Sequence, residues 1–533
     1  MRKAFALLTT LVFCILLLPA VVLGQGNSSE VIKPDHFDKT PKPLREMFDA
    51  PGKPEPARGG KDFEPGRPFA VGNTNPGGVD PLAAQNSTIT AYAQPRAATT
   101  GVPVDPSFRV APPDTTGDLG PNHYVQWVNL RYSVYTLSRD ASNNITGFNL
   151  VPGFPKNGNT IFQGFGGRCQ TDNDGDPIVQ YDQFADRWIL TQFAVSATPY
   201  TQCVAVSTSG DPTGTYYRYS YSFSRDFNDF PKLGVWSDGY YITYNMFKGG
   251  RTFSGANVCA LERDKMLIGA SARQICKLTT AAASLEPADI EGSTLPPAGS
   301  ANPLLSIGTT TLSAWRYSVN WTTGTSTLTG PTTVAGASFS RACGGGACIP
   351  QPGTTQQLDS LGDRLSYRLS YRNFGAYETM VINHPVATGG TSGIRWYELR
   401  NATGQTLGSA APVVFQQGTF SPDATYRWMG SAAMDKTGGI AIGYNVSSST
   451  VTPSIRYAYH GPADLPGALG NETNILVGNG SQTGGLNRWG DYSTISVDPV
   501  DGCTMVFTTE YLPANGSYNW STYIYSFKLS TCP

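Results

Sequence analysis

Acidic and basic side chains stand a few residues apart where strands are expected to begin: Asp229 with Lys232, Asp363 with Arg364, Arg427 alone, and Arg488 with Asp491. Paired carboxylates can give and take a proton, or one can attack carbon while the other protonates a leaving oxygen, as in glycoside cleavage. Arginine forks orient a carboxylate or an acidic sugar. Asp363, Asp491 and Asp229 are therefore the catalytic candidates, and Arg364, Arg427, Arg488, Lys232 and His384 the substrate-binding ones. The competing reading is architectural, since aspartates in turns accept backbone N–H bonds and arginines tie neighbouring elements together. His384, followed by Pro385 at a strand end, serves as an acid or base or is a packed histidine.

A second constellation is Asp172-Asn173-Asp174-Gly175-Asp176, with carboxylates at alternate positions beside a glycine. It resembles the start of a calcium loop, and calcium is the one cofactor this chain suggests. Glycine, however, takes the fourth place rather than the sixth, and no glutamate stands at the twelfth. An Asp/Asn turn closed by its own backbone is the simpler alternative. With 4 histidines in the chain, a triple-histidine metal centre is not indicated. No G-x-S-x-G elbow marks a serine nucleophile.

The elements that must position these residues are short strands. A recurring unit joins a charged residue, a hydrophobic strand, an aspartate turn and an aromatic strand, at Phe230–Tyr241, Arg427–Gly439 and Arg488–Asp501. Gly 59, Pro 39 and Tyr 27 supply turn punctuation and sheet formers. Strand-rich units recurring at roughly 50 to 65 residues read as propeller blades. The expected fold is all-β: a single seven-bladed β-propeller with four-stranded antiparallel blades. Its expected divisions are a signal peptide at 1–24, a Pro/Gly-rich arm at 25–104 with one short helix near Pro41–Arg45, and the propeller at 105–533. Each blade would bring its charged residue to one rim of a central channel.

The segments Gly210–Tyr219, Tyr371–Gly375 through His384, and Arg488–Asp501 resemble those of large secreted bacterial β-propeller proteins. The aspartate turns are similar to a loose form of those in sialidase-like propellers, without the full serine-x-aspartate-x-glycine-x-threonine-x-tryptophan order. The resemblance implies a fold and supplies no catalytic residues.

Met1-Arg2-Lys3, an apolar run from Ala4 to Val22, and Leu23-Gly24-Gln25 form a secretory leader with cleavage expected after Gly24. That places the mature chain outside the cell or on its surface, without membrane insertion. Its cysteines then stand in an oxidising environment, and sequence order suggests Cys169 with Cys203, Cys259 with Cys276, Cys343 with Cys348, and Cys503 with Cys532. Order alone leaves other pairings open. A net charge of -1 and the lack of a basic stripe argue against nucleic acid. A monomer acting on extracellular polysaccharide or glycan, as hydrolase or lyase, is the leading expectation. A non-catalytic carbohydrate- or protein-binding adhesion protein is the alternative.

Overall fold

The computed structural model describes residues 29–50, 77–83, 89, 91–105 and 110–533, with Asn471 described by its backbone alone. The leader expected at 1–24 lies outside these residues. Among the described residues the regular elements are almost all strands, with α-helical turns at Gly167–Thr171 and Arg263–Met266 only. No helix is long and apolar enough to cross a membrane among them. The sequence behaves this way because alternating Val, Ile, Tyr and Thr, broken every few residues by Gly, Pro, Asn or Asp, suits a pleated surface and its tight turns.

The N-terminal arm contributes strands Glu30–Ile32 (β1), His36–Lys39 (β2) and Ala93–Thr100 (β3). The later sheets open with Thr116–Leu119 (β4), Gly175–Asp182 (β5), Phe227–Val235 (β6), Glu286–Ile290 (β7), Ser366–Asn373 (β8), Tyr426–Met434 (β9) and Thr494–Val497 (β10). From each opening strand the chain runs outward in antiparallel pairs. The arm strands then pair with the outermost strands of three sheets: β1 with Gln274–Thr279, β2 with Tyr216–Ser222 and β3 with Ser521–Leu529. They cover backbone edges that would otherwise be open to pairing with another chain.

This topology overturns the expected seven-bladed propeller of four-stranded antiparallel blades. The sheets are discrete and open, and none closes on itself. Two of the expected units are one 8-stranded sheet, because β7 and β8 come within backbone hydrogen-bonding reach and pair in parallel at Ala288↔Leu369. Arm strands make other sheets five-stranded, and Ala347–Ile349 with Leu358–Asp359 form a small sheet of their own. The likeness to secreted bacterial β-propellers and sialidase-like blades falls with that architecture. What remains is an all-β assembly of open sheets whose opening strands, β4 to β10, pack one against the next, with β10 also against β4. The starts of strands from different sheets are thereby brought to one place.

Disulfides Cys169–Cys203, Cys259–Cys276, Cys343–Cys348 and Cys503–Cys532 staple the sheets. The first ties the turn at Gly167–Thr171 to strand Thr201–Ser207, and the last fastens the chain's end to the start of strand Thr504–Tyr511. Beyond the arm strands, Asp80 is held by Arg395 at 2.6 Å with both side chains fully buried. Arg218 grips Asp38 through two bonds of 2.8 and 2.6 Å. The described stretches of the arm are therefore part of the packed body.

Candidate functional site

The starts of the opening strands are bent. Asp114, Asp176 and Phe230 have φ of 48°, 44° and 53°, the left-handed region that side chains other than glycine's rarely adopt. At Phe230 the bend is a β-bulge, the pairing with Tyr240–Lys248 slipping between Asp229 and Lys232. A bulge re-aims the side chains around it, and such backbone strain persists only where the surroundings hold it. Here it turns Asp229 and Lys232 toward the place where the sheets meet.

Lys232 is fully buried. Its Nζ lies 3.3 Å from the centre of the Phe230 ring and 4.1 Å from that of Tyr492, and it donates to the carbonyl of Pro231 at 2.9 Å. Burial lowers its pKa to about 8, with Glu286, Asp176 and Asp114 pulling the other way. The aromatic faces recover part of what the ammonium loses by leaving water.

Carboxylates from successive sheets face this lysine. Asp114 accepts from the Asn129 side chain at 2.8 Å and from the Asp491 backbone N–H at 3.0 Å, so residues remote in sequence meet here. Burial raises its pKa well above the usual range, and Asp176 adds to the rise. Asp176 and Asp229 are half-buried. Burial raises both; the charge of Asp176 pushes Asp229 further up, and Lys232 and Arg364 pull both back. Glu286 is fully buried, and neither carboxylate oxygen has a hydrogen-bond partner among the described residues. Its pKa is pushed up to about 8 by burial, against the pull of Lys232 and Arg364. The cluster thus holds neighbouring carboxyl groups, all raised by burial, beside a lysine, and groups so raised can exchange protons near neutral pH.

Of the candidates read from sequence, Asp229, Lys232 and the Asp363–Arg364 pair belong to this cluster. Arg364 bonds Asp363 at 3.0 Å and lies over the Phe230 ring. Arg488 and Asp491 form an ion pair beside it, and the backbone of Asp491 reaches Asp114. Arg427 is not brought in: buried on β9, it bonds Glu472 at 2.8 and 3.0 Å and Asp423 at 2.9 Å. His384 lies elsewhere too, with Nε2 3.1 Å from the Tyr397 hydroxyl and its ring against Phe339. Burial, reinforced by Arg395, lowers its pKa to about 3, which keeps the ring neutral.

Asp172, Asp174 and Asp176 do not gather around a common point. Asp172 pairs with Arg168; Asp174 accepts the backbone N–H groups of Val195 and Ser196 and the Ser196 hydroxyl; Asp176 faces Asp114. Among the described residues no group of three or more His, Cys, Asp or Glu is placed to hold a metal ion. The backbone N–H groups that Asp174 accepts lie 21 and 22 residues further along the chain, so they tie two segments together rather than closing the turn on its own backbone.

Asp114, Glu286, Phe230 and Tyr492 were missed. The left-handed backbone that aims the first has no sequence signature, and Glu286 precedes Pro287 in a stretch with weak strand patterning. At the opposite end of the same strands, Arg368 bonds Asp289 at 2.8 Å and Asp118 at 3.4 Å and also pairs with Glu291. Asp118 and Asp289 in turn accept backbone N–H groups of Tyr181 and Val235. These groups line a cavity of about 20 Å³, too small for a sugar, and their work is to tie strands together.

No protein-family model matches the chain, and no curated protein matches it. Among solved structures, it is similar to an alpha-L-arabinanase of Penicillium chrysogenum complexed with arabinobiose, at TM-score 0.34 and 11% identity over 81% of this chain and 98% of that one. It is also similar to an exo-1,5-alpha-L-arabinanase from a bovine ruminal metagenomic library, at TM-score 0.27 and 9% identity over 73% of this chain and 100% of that one. A protein of unknown function from Dyadobacter fermentans gives TM-score 0.26 and 7% identity over 82% and 99%. Likeness at these levels is distant and carries no argument about this chain's chemistry.

Proposed function

We propose that the protein acts on an extracellular polysaccharide or glycan as a hydrolase, with the carboxylates at the starts of β5 and β6 as its working groups. The observation that carries this reading is the unequal pair Asp176 and Asp229, half-buried and within each other's field. Like charges so placed do not both ionise readily, and the environment decides which keeps the proton. Lys232 and Arg364 favour the ionised form of both, and Asp176 disfavours that of Asp229. Asp229 is then the acid that protonates the leaving glycosidic oxygen, and Asp176 the base or nucleophile on the other side of the bond. Asp363 and Asp491, engaged by Arg364 and Arg488, take a positioning role in this scheme. Those same ion pairs favour the second reading, a non-catalytic binding protein. The leader expected at 1–24 and the four disulfides support a site of action outside the cytoplasm.

The test is release of reducing ends from a panel of arabinan, xylan, pectin, chitin and chitosan, repeated with Asp229→Asn and Asp176→Asn. The expected loss is on the order of 100-fold or more in each variant, the range for removing a general acid or base. Turnover unchanged in both variants would sink the assignment. Saccharide binding without turnover in the unmodified protein would select the binding reading.

A further inference from the structure

We infer that the ligand of the Lys232 cluster is cationic: a saccharide carrying free, protonated amino groups, as in a de-N-acetylated hexosamine oligomer. The inference deepens the carbohydrate reading above and rests on it for the sugar, though not for the charge.

The arginines that would greet an acidic sugar are already engaged. Arg364 bonds Asp363, Arg488 pairs with Asp491, and Arg427 lies buried on Glu472 away from the site. Lys232 is no better placed, since it is fully buried, lies on the faces of Phe230 and Tyr492, and donates to the Pro231 carbonyl. Against this single lysine stand Asp114 before β4, Asp176 on β5, Asp229 on β6 and Glu286 on β7. Glu510, on the neighbouring strand Thr504–Tyr511, is buried nearby within the field of Asp114. Carboxylates outnumber the available cations, and their partly protonated state is the protein's way of living with that excess.

The independent pointer is Glu286. Wholly buried with both oxygens lacking a donor, it is the group that an incoming N–H donor would satisfy. A charged ammonium donor does so about twice as strongly as a neutral hydroxyl, and its field reaches the other carboxylates as well. Asp176 and Asp229, not wholly buried, are where the site meets solvent. A cation arriving there favours the ionised carboxylates, so binding should expel protons. The groups that answer are those facing the site from each packed element: Asp114, Asp176, Asp229, Lys232 and Glu286, with the Asp363–Arg364 and Arg488–Asp491 pairs at its margin.

The test is isothermal titration of the full-length mature protein at about pH 6.5 with a glucosamine tetramer, its N-acetylated counterpart, a galacturonate tetramer, an arabinan oligomer and spermidine. Buffers of different ionisation enthalpy report the protons released. The glucosamine oligomer should bind at least about tenfold tighter than the acetylated one, weaken several-fold as salt rises from about 0.05 to 0.5 M, and release protons. Glu286→Gln and Asp229→Asn should each weaken it by about tenfold. The salt and proton measurements need no variant, so they stand even if one fails to fold. Equal or tighter binding of the acetylated, neutral or acidic oligomer overturns the cationic preference while leaving the carbohydrate reading intact. Binding of spermidine with no saccharide keeps the preference and removes the carbohydrate reading. Binding of none of them removes both.

Discussion

Replacing Glu286 with glutamine should make the protein more stable near neutral pH. Glu286 is fully buried, and its pKa in the folded chain is raised from 4.5 to about 8. For a group shifted in this direction the folded protein holds a proton that the unfolded chain has released. Its stabilising effect is complete below the unfolded value and is lost as pH rises through the folded one. Each pH unit spent in that window costs about 1.4 kcal/mol per proton. From about pH 5 to pH 7 the side chain alone should therefore remove about 2 to 3 kcal/mol. Glutamine has nearly the same shape and no proton to lose. Lys232, with a folded value of about 8, stays charged across most of this range and contributes little to the slope. Asp114, Asp176 and Asp229 are also raised and will leave some slope in both proteins, so the difference between them is the diagnostic quantity. Guanidinium denaturation followed by tryptophan fluorescence should give nearly equal stabilities at about pH 5 and a Glu286→Gln variant ahead by about 2 to 3 kcal/mol at about pH 7. Parallel pH dependences would refute both the burial of an ionisable Glu286 and the charge excess inferred from it.

Two further outcomes concern the staples. Arg395→Ala leaves Asp80 buried and uncompensated, so it should cost about 3 to 5 kcal/mol and expose residues 77–83 to protease. Replacing Arg395 and Asp80 together by leucine should cost less, and equal losses in the single and double variants would contradict a paired role. Replacing Cys503 and Cys532 with serine opens a loop of 29 residues, expected to cost about 3 to 4 kcal/mol in chemical denaturation. An unchanged midpoint would show that the pairing of β3 with Ser521–Leu529 already holds the terminus.

Much of the sheet content was legible because it is written locally. Val179-Gln180-Tyr181-Asp182 alternates as a strand should, Trp188-Ile189-Leu190 is a short apolar run of the kind a buried strand carries, and the turn between them carries Asp and Ala. Pairing between sheets is not local. Nothing in Ala288-Asp289-Ile290 announces a parallel partner at Leu369-Ser370-Tyr371, and that pairing breaks the expected division into separate blades. The arm strands were hidden for a related reason: Glu30-Val31-Ile32 is too short to be a strand until the edge at Gln274–Thr279 supplies its hydrogen bonds. At the site, the proximity of Asp229 to Lys232 could be read from spacing. The arrival of Asp114 and Glu286 beside them depends on how sheets pack and on left-handed residues that the chain's composition does not reveal. Arg427 shows the converse, since its position before a strand looked equivalent but Glu472 on an outer strand captured it.

The clasp between β3 and Ser521–Leu529 sets an order of events. Ala97 and Ser526 hydrogen-bond across 429 residues, so a strand made earlier in synthesis waits for a partner made much later. Until Ser521–Leu529 has been made, that sheet cannot be completed. A growing chain would carry β3 unpaired, with its backbone available to wrong partners, and closing so long a loop is slow. The assembly therefore closes only once Ser521–Leu529 has emerged, and a chain cut short before Ser521 would lose that strand and leave β3 without its partner.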